Sequence, residues 1–225
     1  MKAVKIKINL TKISSKINKS KLKWAINFLN KKIKNSELKS NYSVECKLID
    51  FNSKNIEKYK NKIDKDNTKE SFSINPIKED FSKVIIYGHD TRGLIYAITE
   101  IADRIENQTN KKINFENIFY KTSETPKTKV RSISKCFESD VEDLNWFYDK
   151  TMWKEYLNML ITDRYNRFTL TLGMQYNYPY GNEFIKDVYF YLAYPFLVKP
   201  KGYKIYAERI NKNIRDKNLK ILKFI

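Results

Sequence analysis

Residues 129–180 constrain the fold of this chain most strongly, because they predict a strand, a helix and a second strand in succession. Residues 130–137 are rich in β-branched side chains and follow Pro126, which cannot extend a preceding helix. Thr151 is the expected N-cap of the helix. The apolar positions of this helix recur at spacings of three and four: Trp153, Tyr156, Leu157, Leu160 and Ile161.

The second strand of this segment is expected over Arg167–Leu172, where the side chains alternate between two faces. Phe168, Leu170 and Leu172 point one way, and Arg167, Thr169 and Thr171 point the other way. A strand, a helix and a strand in this order favour a β-α-β crossover, which joins parallel strands. The function of the chain then depends on the fold to which this crossover belongs.

The chain before Pro126 predicts further alternation of strands and helices. Strands are expected at four places: residues 2–10, 42–51, 84–86 and 112–120. Helices are expected to be capped by Ser20 and by Asp90 or Thr91. Residues 52–82 are rich in Lys, Asn and Asp, and we expect there a surface segment with one short helix.

The pattern predicts two domains and an α/β fold class. We expect an accessory α/β (or α+β) domain at residues 1–125 and a second domain at residues 126–225, separated by a junction near residues 124–129.

The chain is strongly basic, with 44 Lys and Arg against 26 Asp and Glu and a net charge of +18. Such a balance is typical of proteins that bind nucleic acid or another polyanion. The lysines are spread through the whole chain among many Asn and Ile residues, which favours a compositional bias. Nucleic acid is therefore not the partner we expect, and a basic α/β nucleic-acid-binding module is kept as an alternative.

The sequence predicts no cofactor, no metal and no disulfide. Cys46 and Cys136 each lie in a predicted strand, and His89 is the single histidine. Residues 1–11 alternate apolar side chains with lysines, which is a strand pattern and not a signal peptide. No run approaches the roughly 20 apolar residues of a membrane span. We expect a soluble, cytoplasmic protein without a membrane partner; its oligomeric state stays open.

The sequence YGHDTRGLIYAI at residues 87–98 places a glycine turn and a helix start directly after a strand. It contains neither GxGxxG nor GxxxxGK[ST], so a phosphate-binding loop is disfavoured. We expect Gly88 to form the turn, Asp90 and Arg92 to tie down the start of the helix, and Gly93 to allow close packing. His89 is expected to be a turn residue.

Two further places could bind or cut a sugar. Asp140, Glu142 and Asp143 fall in a predicted loop, but glycoside hydrolysis needs two carboxyl groups held across a gap from separate supports, so we assign no catalytic residue. Residues 174–180, MQYNYPY, follow the second strand at its carboxyl end, where binding loops collect in parallel α/β folds. Gln175, Tyr176 and Asn177 are therefore candidates for substrate binding, and an ordinary Tyr-rich loop is the alternative.

Several blocks resemble known glycoside hydrolases. VIIYGHDTRGLIYAITEIADRI resembles the end of the α/β domain that precedes the barrel in α-glucuronidases and family 20 β-N-acetylhexosaminidases. KVRSIS, WFYDKTMWKEYLNML and DRYNRFTLTLG are similar to the start of the catalytic (β/α)8 barrel in related glycoside hydrolase-like proteins. The resemblance implies a carbohydrate substrate and the first two β-α units of an incomplete TIM-type barrel at residues 126–225.

The resemblance also implies roles for individual residues. Arg131 falls where the hexosaminidases carry a substrate-binding arginine on the first barrel strand. Their second strand carries His-x-Thr-Asp, whereas Thr171, Gly173 and Met174 occupy the matching positions here. A complete barrel needs about 250 residues, and about 96 follow the junction. The resemblance therefore implies catalytic carboxylates beyond Ile225.

The function expected from the sequence is the N-terminal portion of a glycoside hydrolase-like protein, inactive as this chain, with Arg131, Gln175, Tyr176 and Asn177 contacting carbohydrate. A non-enzymatic carbohydrate-binding or structural domain of the same fold is a further alternative.

Overall fold

The computed structural model describes residues 2–3, 5–36, 39–40, 43–54, 56–61, 63–77, 80–108, 115–137, 140–172, 197 and 211–225. The chain divides into two compact units, Met1–Lys129 and Val130–Ile225, here called unit 1 and unit 2. Both units combine helices with strands, and the predicted α/β fold class is confirmed. Among the described residues, no helix is long and apolar enough to cross a membrane.

Unit 1 is built on a five-stranded mixed sheet. Its strands, in spatial order, are β2 (Lys5–Asn9), β4 (Ser43–Asp50), β6 (Asp80–Gly88), β5 (Phe72–Ile77) and β7 (Thr122–Glu124). The first three are parallel, and β5 runs antiparallel to both of its neighbours. A separate antiparallel pair joins β1 (Lys2–Ala3) to β3 (Lys39–Ser40).

Two helices of unit 1 pack against each other: α1 (Lys19–Asn35) and α2 (Thr91–Glu106). The N-cap of α1 is Asn18, whose side chain accepts a hydrogen bond from the backbone N–H of Lys21 at 3.1 Å, so the cap predicted at Ser20 is wrong by two residues. Asp90 caps α2 as predicted. Residues 93–99 of α2 are all buried, which indicates a helix enclosed on every side along this stretch.

Two predictions for unit 1 are wrong. The surface segment expected at residues 52–82 contains strand β5. The polar side chains of Ser73 and Asn75 in β5 are buried, and they form hydrogen bonds inside the sheet. Asn75 Nδ2 donates to Ser73 Oγ at 2.9 Å and to the Ile85 carbonyl at 3.2 Å. The strand expected at residues 112–120 is instead a short helix, α3 (Phe115–Ile118), within its described part.

A buried arginine joins α2 to the segment that follows α3. The side chain of Arg104 donates to the Glu100 carboxylate at 2.9 Å, to the Ile118 carbonyl at 3.0 Å and to the Thr122 hydroxyl at 2.7 Å. Its guanidinium also lies 3.7 Å from the centroid of the Tyr120 ring. A planar fork with five N–H donors satisfies several acceptors at once, which explains why a charged residue is tolerated at this depth.

Unit 2 contains two parallel strands, β8 (Ser132–Phe137) and β9 (Arg167–Leu172), with Ser132 opposite Arg167 and Phe137 opposite Leu172. The helices whose bounds are described in unit 2 are α4 (Asp140–Tyr148), α5 (Lys150–Thr162) and α6 (Lys212–Phe224). The predicted parallel β-α-β crossover is therefore confirmed.

The N-cap of α5 and the location of the acidic residues before it differ from the prediction. Asp149, and not Thr151, caps α5, accepting hydrogen bonds from the backbone N–H groups of Thr151 at 2.7 Å and Met152 at 3.1 Å. The acids predicted in a loop lie in the separate helix α4. The core of unit 2 is aromatic, with Phe137, Phe147, Trp153 and Ile221 buried together.

Candidate functional site

The β8–β9 pair has one apolar face and one polar face. Phe137, Phe168, Leu170 and Leu172 pack into the aromatic core, as the alternation in β9 predicted. The opposite face carries small polar side chains and one arginine. In register across the two strands, these are Ser132 with Arg167, Ser134 with Thr169, and Cys136 with Thr171.

The carboxyl end of this polar face is the candidate site in unit 2. Cys136 and Thr171 lie side by side there, and both are half-buried. Binding sites of parallel α/β folds collect at this end of the strands. A hydroxyl and a thiol can exchange hydrogen bonds with a sugar, but neither strand carries an Asp or Glu that could transfer a proton in glycoside hydrolysis.

The acidic residues next to this end belong to α4. Asp143 accepts a hydrogen bond from the indole Nε1 of Trp146 at 2.6 Å, which ties the carboxylate to its own helix. Lys135 lies on the apolar side of β8, with its Nζ 4.0 Å from the centroid of the Trp146 ring. These two residues therefore serve the packing of α4 against the strand.

Arg131 precedes β8, at the amino end of the strand pair. Its Nε donates to the Arg164 carbonyl at 2.6 Å, just after α5. Its backbone N–H donates to the Asn166 side chain at 2.9 Å, and its carbonyl accepts from the backbone N–H of Asn166 at 3.0 Å. These contacts fasten the turn before β9 to the start of β8. The structure thus does not place Arg131 with Cys136 and Thr171, and its contact with a sugar stays a prediction.

Gln175, Tyr176 and Asn177, the other three predicted site residues, lie outside the described residues. Sequence reasoning did not select Cys136, although its alternation with Ser132 and Ser134 in a predicted strand was the available signal. Thr171 was named for the alternation of the second strand and because it replaces the histidine of the resembled families, and it was not selected as a binding residue.

The glycine turn of unit 1 is a packing device. Asp90 Oδ1 accepts a hydrogen bond from the Gly93 backbone N–H at 3.0 Å, and its Oδ2 accepts from the Glu70 backbone N–H at 3.2 Å. A carboxylate of the chain itself therefore occupies the start of α2, where a phosphate would otherwise bind. Arg92 pairs with Glu70 at 2.7 Å. The predicted structural role of this turn matches these contacts.

Gly93→Ala is expected to destabilise unit 1 by about 1–3 kcal/mol through overpacking. An added Cβ would lie 2.3 Å from the Ser71 carbonyl oxygen, a backbone atom that cannot rotate away. The measurement is urea unfolding followed by circular dichroism, with Asn27→Ala on the exposed side of α1 as the control. Equal midpoints for the two variants would contradict the close approach at Gly93.

His89 follows this turn and packs against a ring. Its imidazole stacks on Phe51 with centroids 4.8 Å apart, and its backbone N–H donates to the Ser71 carbonyl at 3.0 Å. The buried Nδ1 has no hydrogen-bond partner among the described residues. The ring stacking and the backbone hydrogen bond are in keeping with a turn residue.

The thiol of Cys46 and the carboxylate of Asp66, both in unit 1, have structural roles. Burial raises the pKa of the Cys46 thiol to about 12, so this group stays protonated and unreactive at neutral pH. A hydrogen bond from the Thr125 hydroxyl holds the pKa of Asp66 below its usual value. Within the described ranges, no group of three or more His, Cys, Asp or Glu residues could hold a metal ion.

Comparison with known proteins gives matches in structure and none in sequence. No protein-family model matches the chain, and no curated protein matches it. A family GH138 enzyme that targets pectin rhamnogalacturonan II matches 98% of the chain with a TM-score of 0.62 and 19% identity. A family GH115 4-O-methyl-α-glucuronidase with specificity for decorated arabinogalactans matches 76% of the chain with a TM-score of 0.55 and 15% identity.

These matches concern a part of each enzyme. The chain spans 28% of the length of the GH138 structure and 25% of the GH115 structure. At identities this low, the structural similarity shows the fold alone. The chain therefore has a glycoside-hydrolase-like α/β fold.

Proposed function

We propose that this chain forms the accessory α/β domain and the first two β-α units of the barrel in a carbohydrate-active, glycoside hydrolase-like protein. The accessory domain corresponds to residues 1–125 and the partial barrel to residues 126–225. The observation that supports this most is the parallel β8–α5–β9 unit within a fold shared over 98% of the chain with a much longer GH138 enzyme. The chain by itself does not hydrolyse glycosides.

The polar face of β8 and β9 supports a binding role for unit 2. In a barrel, one face of every strand points inward and the carboxyl ends of the strands surround the substrate. Cys136 and Thr171 would then lie at the substrate end, followed along the chain by Gln175, Tyr176 and Asn177. Arg131 lies at the amino end of the strand pair, and its side chain would have to exchange its hydrogen bond to the Arg164 carbonyl for one to the sugar.

Hydrolysis of a glycosidic bond requires a general acid and a second carboxylate as nucleophile or base. The two described strands of unit 2 carry neither, and we propose that both groups come from later strands of a longer protein. Pectic and arabinogalactan polysaccharides, named for the two matched enzymes, are the substrates we propose to test first.

The test compares the 225-residue chain with the same chain joined to the protein encoded directly after it. We expect the chain alone to release no reducing sugar from rhamnogalacturonan or arabinogalactan, and the joined protein to release it. Hydrolysis by the chain alone would contradict the proposal that the catalytic carboxylates lie on later strands of a longer protein. Binding of these polysaccharides by the joined protein without hydrolysis would favour the non-enzymatic carbohydrate-binding domain instead.

A further inference from the structure

Helix α1 is the most one-sidedly charged helix of unit 1. It carries six lysines and no Asp or Glu over 17 residues: Lys19, Lys21, Lys23, Lys31, Lys32 and Lys34. The other long helix of unit 1, α2, contains three acids, Glu100, Asp103 and Glu106, against two arginines. The spread of lysines along the sequence thus hides a local concentration on one helix.

Two aromatic residues of α1 lie outside its buried stripe. The buried residues Leu22, Ala25 and Leu29 mark the inner side. At 100° per residue, Trp24 lies about 130° from the mean direction of these three residues, toward the outside of the helix, and Phe28 lies about 90° away, on its flank. Both are half-buried, and their rings stack with centroids 5.6 Å apart and planes 23° apart. An amphipathic helix normally presents polar side chains at these positions, so an aromatic pair there calls for a ligand or a partner.

Lysines continue the aromatic pair in both directions. Lys21 lies three residues before Trp24, and Lys31 lies three residues after Phe28, so the four side chains follow one slanted line that runs from the flank of α1 toward its outer side. Both lysines are exposed, and they are about 15 Å apart along the axis at 1.5 Å per residue. We call Lys21, Trp24, Phe28 and Lys31 the α1 strip.

Lys32 contacts the α1 strip at Phe28. The Nζ of Lys32 lies 5.4 Å from the centroid of the Phe28 ring and bonds the Glu106 carboxylate of α2 at 2.5 Å. Phe28 therefore contacts both this held ammonium and the indole of Trp24. In the described part of the chain, the indole stacks on Phe28 alone. Its orientation is thus set by the protein before any ligand binds, which lowers the cost of binding.

We propose that the α1 strip binds a linear saccharide that carries carboxylate groups, such as a polyuronate. The sugar ring packs against the indole of Trp24, while the ammonium groups of Lys21 and Lys31 pair with carboxylates along the saccharide. The choice of a saccharide over a nucleic acid rests on the proposed function, whereas the charge and the aromatic pair alone are compatible with either. The strip belongs to unit 1, whereas β8 and β9 belong to unit 2.

The test titrates the full chain with oligogalacturonate by calorimetry at low and moderate salt. Lys21→Gln/Lys31→Gln and, separately, Trp24→Leu are each expected to weaken binding by about tenfold or more, or about 1.4 kcal/mol. The control Lys54→Gln/Lys58→Gln removes the same charge from exposed positions of unit 1 outside α1. It is expected to change affinity less than twofold. Binding should weaken as salt screens the lysines.

Neutral galactan and a single-stranded oligothymidylate are the comparison ligands. We expect no binding of galactan and weaker binding of the oligonucleotide than of oligogalacturonate. If the control variant loses as much affinity for oligogalacturonate as the strip variants, binding depends on the overall charge and the proposed α1 strip is wrong. If the oligonucleotide binds more tightly than oligogalacturonate and the strip variants abolish that binding, the α1 strip binds nucleic acid. No binding of oligogalacturonate would overturn the strip and leave the hydrolysis test of the joined protein unaffected. A melting temperature equal to that of the unmodified chain confirms that each variant is folded.

Discussion

Trp153→Ala is expected to lower the free energy of unfolding of unit 2 by about 3–5 kcal/mol, the usual cost of truncating a large buried aromatic residue. The indole is fully buried, and its Nε1 donates to the Phe147 carbonyl at 2.8 Å. It also contacts the rings of Trp146 at 5.6 Å, Phe168 at 5.9 Å and Tyr156 at 6.3 Å. Truncation therefore opens a cavity between α4, α5 and β9 and removes the hydrogen bond to the Phe147 carbonyl.

Hydrogen exchange followed by mass spectrometry measures this effect in each unit separately, which matters because a chain of two units need not unfold in one step. Protection of β8 and β9 should fall in Trp153→Ala while protection of unit 1 stays unchanged. Trp153→Phe keeps an aromatic ring and loses the N–H donor together with part of the indole volume, so a smaller loss than in Trp153→Ala is expected. Met159→Ala, at an exposed position of the same helix, is the control. Equal hydrogen-exchange protection of β8 and β9 in Trp153→Ala and Met159→Ala would show that the Trp153 indole does not stabilise the core of unit 2.

Arg104→Met is expected to destabilise unit 1 by about 3 kcal/mol, because it removes the donor from several buried acceptors at once. Methionine fills a similar volume but cannot donate to the carbonyl of Ile118 or the hydroxyl of Thr122, and it removes the ion pair with Glu100. The penalty comes mainly from these unsatisfied groups and less from the lost ion pair itself. Urea unfolding of unit 1, with exchange at residues 115–124 as a local probe, measures it.

Lys32→Met is the matched control, since it also replaces a cation that pairs with a glutamate of α2. The Lys32–Glu106 pair is partly exposed, so its loss should cost about 1 kcal/mol or less. Arg104→Lys keeps the charge but not the planar fork, and we expect it to recover only part of the stability. A cost for Arg104→Met no larger than that for Lys32→Met would show that the network contributes little.

Much of the fold could be predicted because its signals are local. The alternation over Arg167–Leu172 and the three-and-four spacing in α5 both reflect side chains that share one buried face. Asp90 was predicted as a cap because a carboxylate directly before an apolar helix can accept its free N–H groups. These features need no knowledge of distant residues.

The misses depend on contacts between distant residues. β5 contains Asn75 and Pro76, which are typical of loops, and it is a strand because Asn75 is satisfied by Ser73 and Ile85 inside the sheet. The strand expected near Phe115 failed because Ile118 and the next residue, Phe119, are both buried, which suits a helical turn better than one face of a strand. At the candidate site, the pairing of Cys136 with Thr171 depends on strand register, which periodicity alone does not define.

The pairing of β5 with β6 also bears on how unit 1 folds. These strands are joined by a short connection and meet from Phe72 opposite Gly88 to Ile77 opposite Asp80, whereas the other described sheet pairings of unit 1 join residues more than 30 positions apart. Loop-closure entropy is therefore smallest for this hairpin, and short-range contacts form fastest. Gly93 of α2 then docks on Ser71 beside it. The segment with the least regular sequence is thus the one whose ordering costs the chain least entropy.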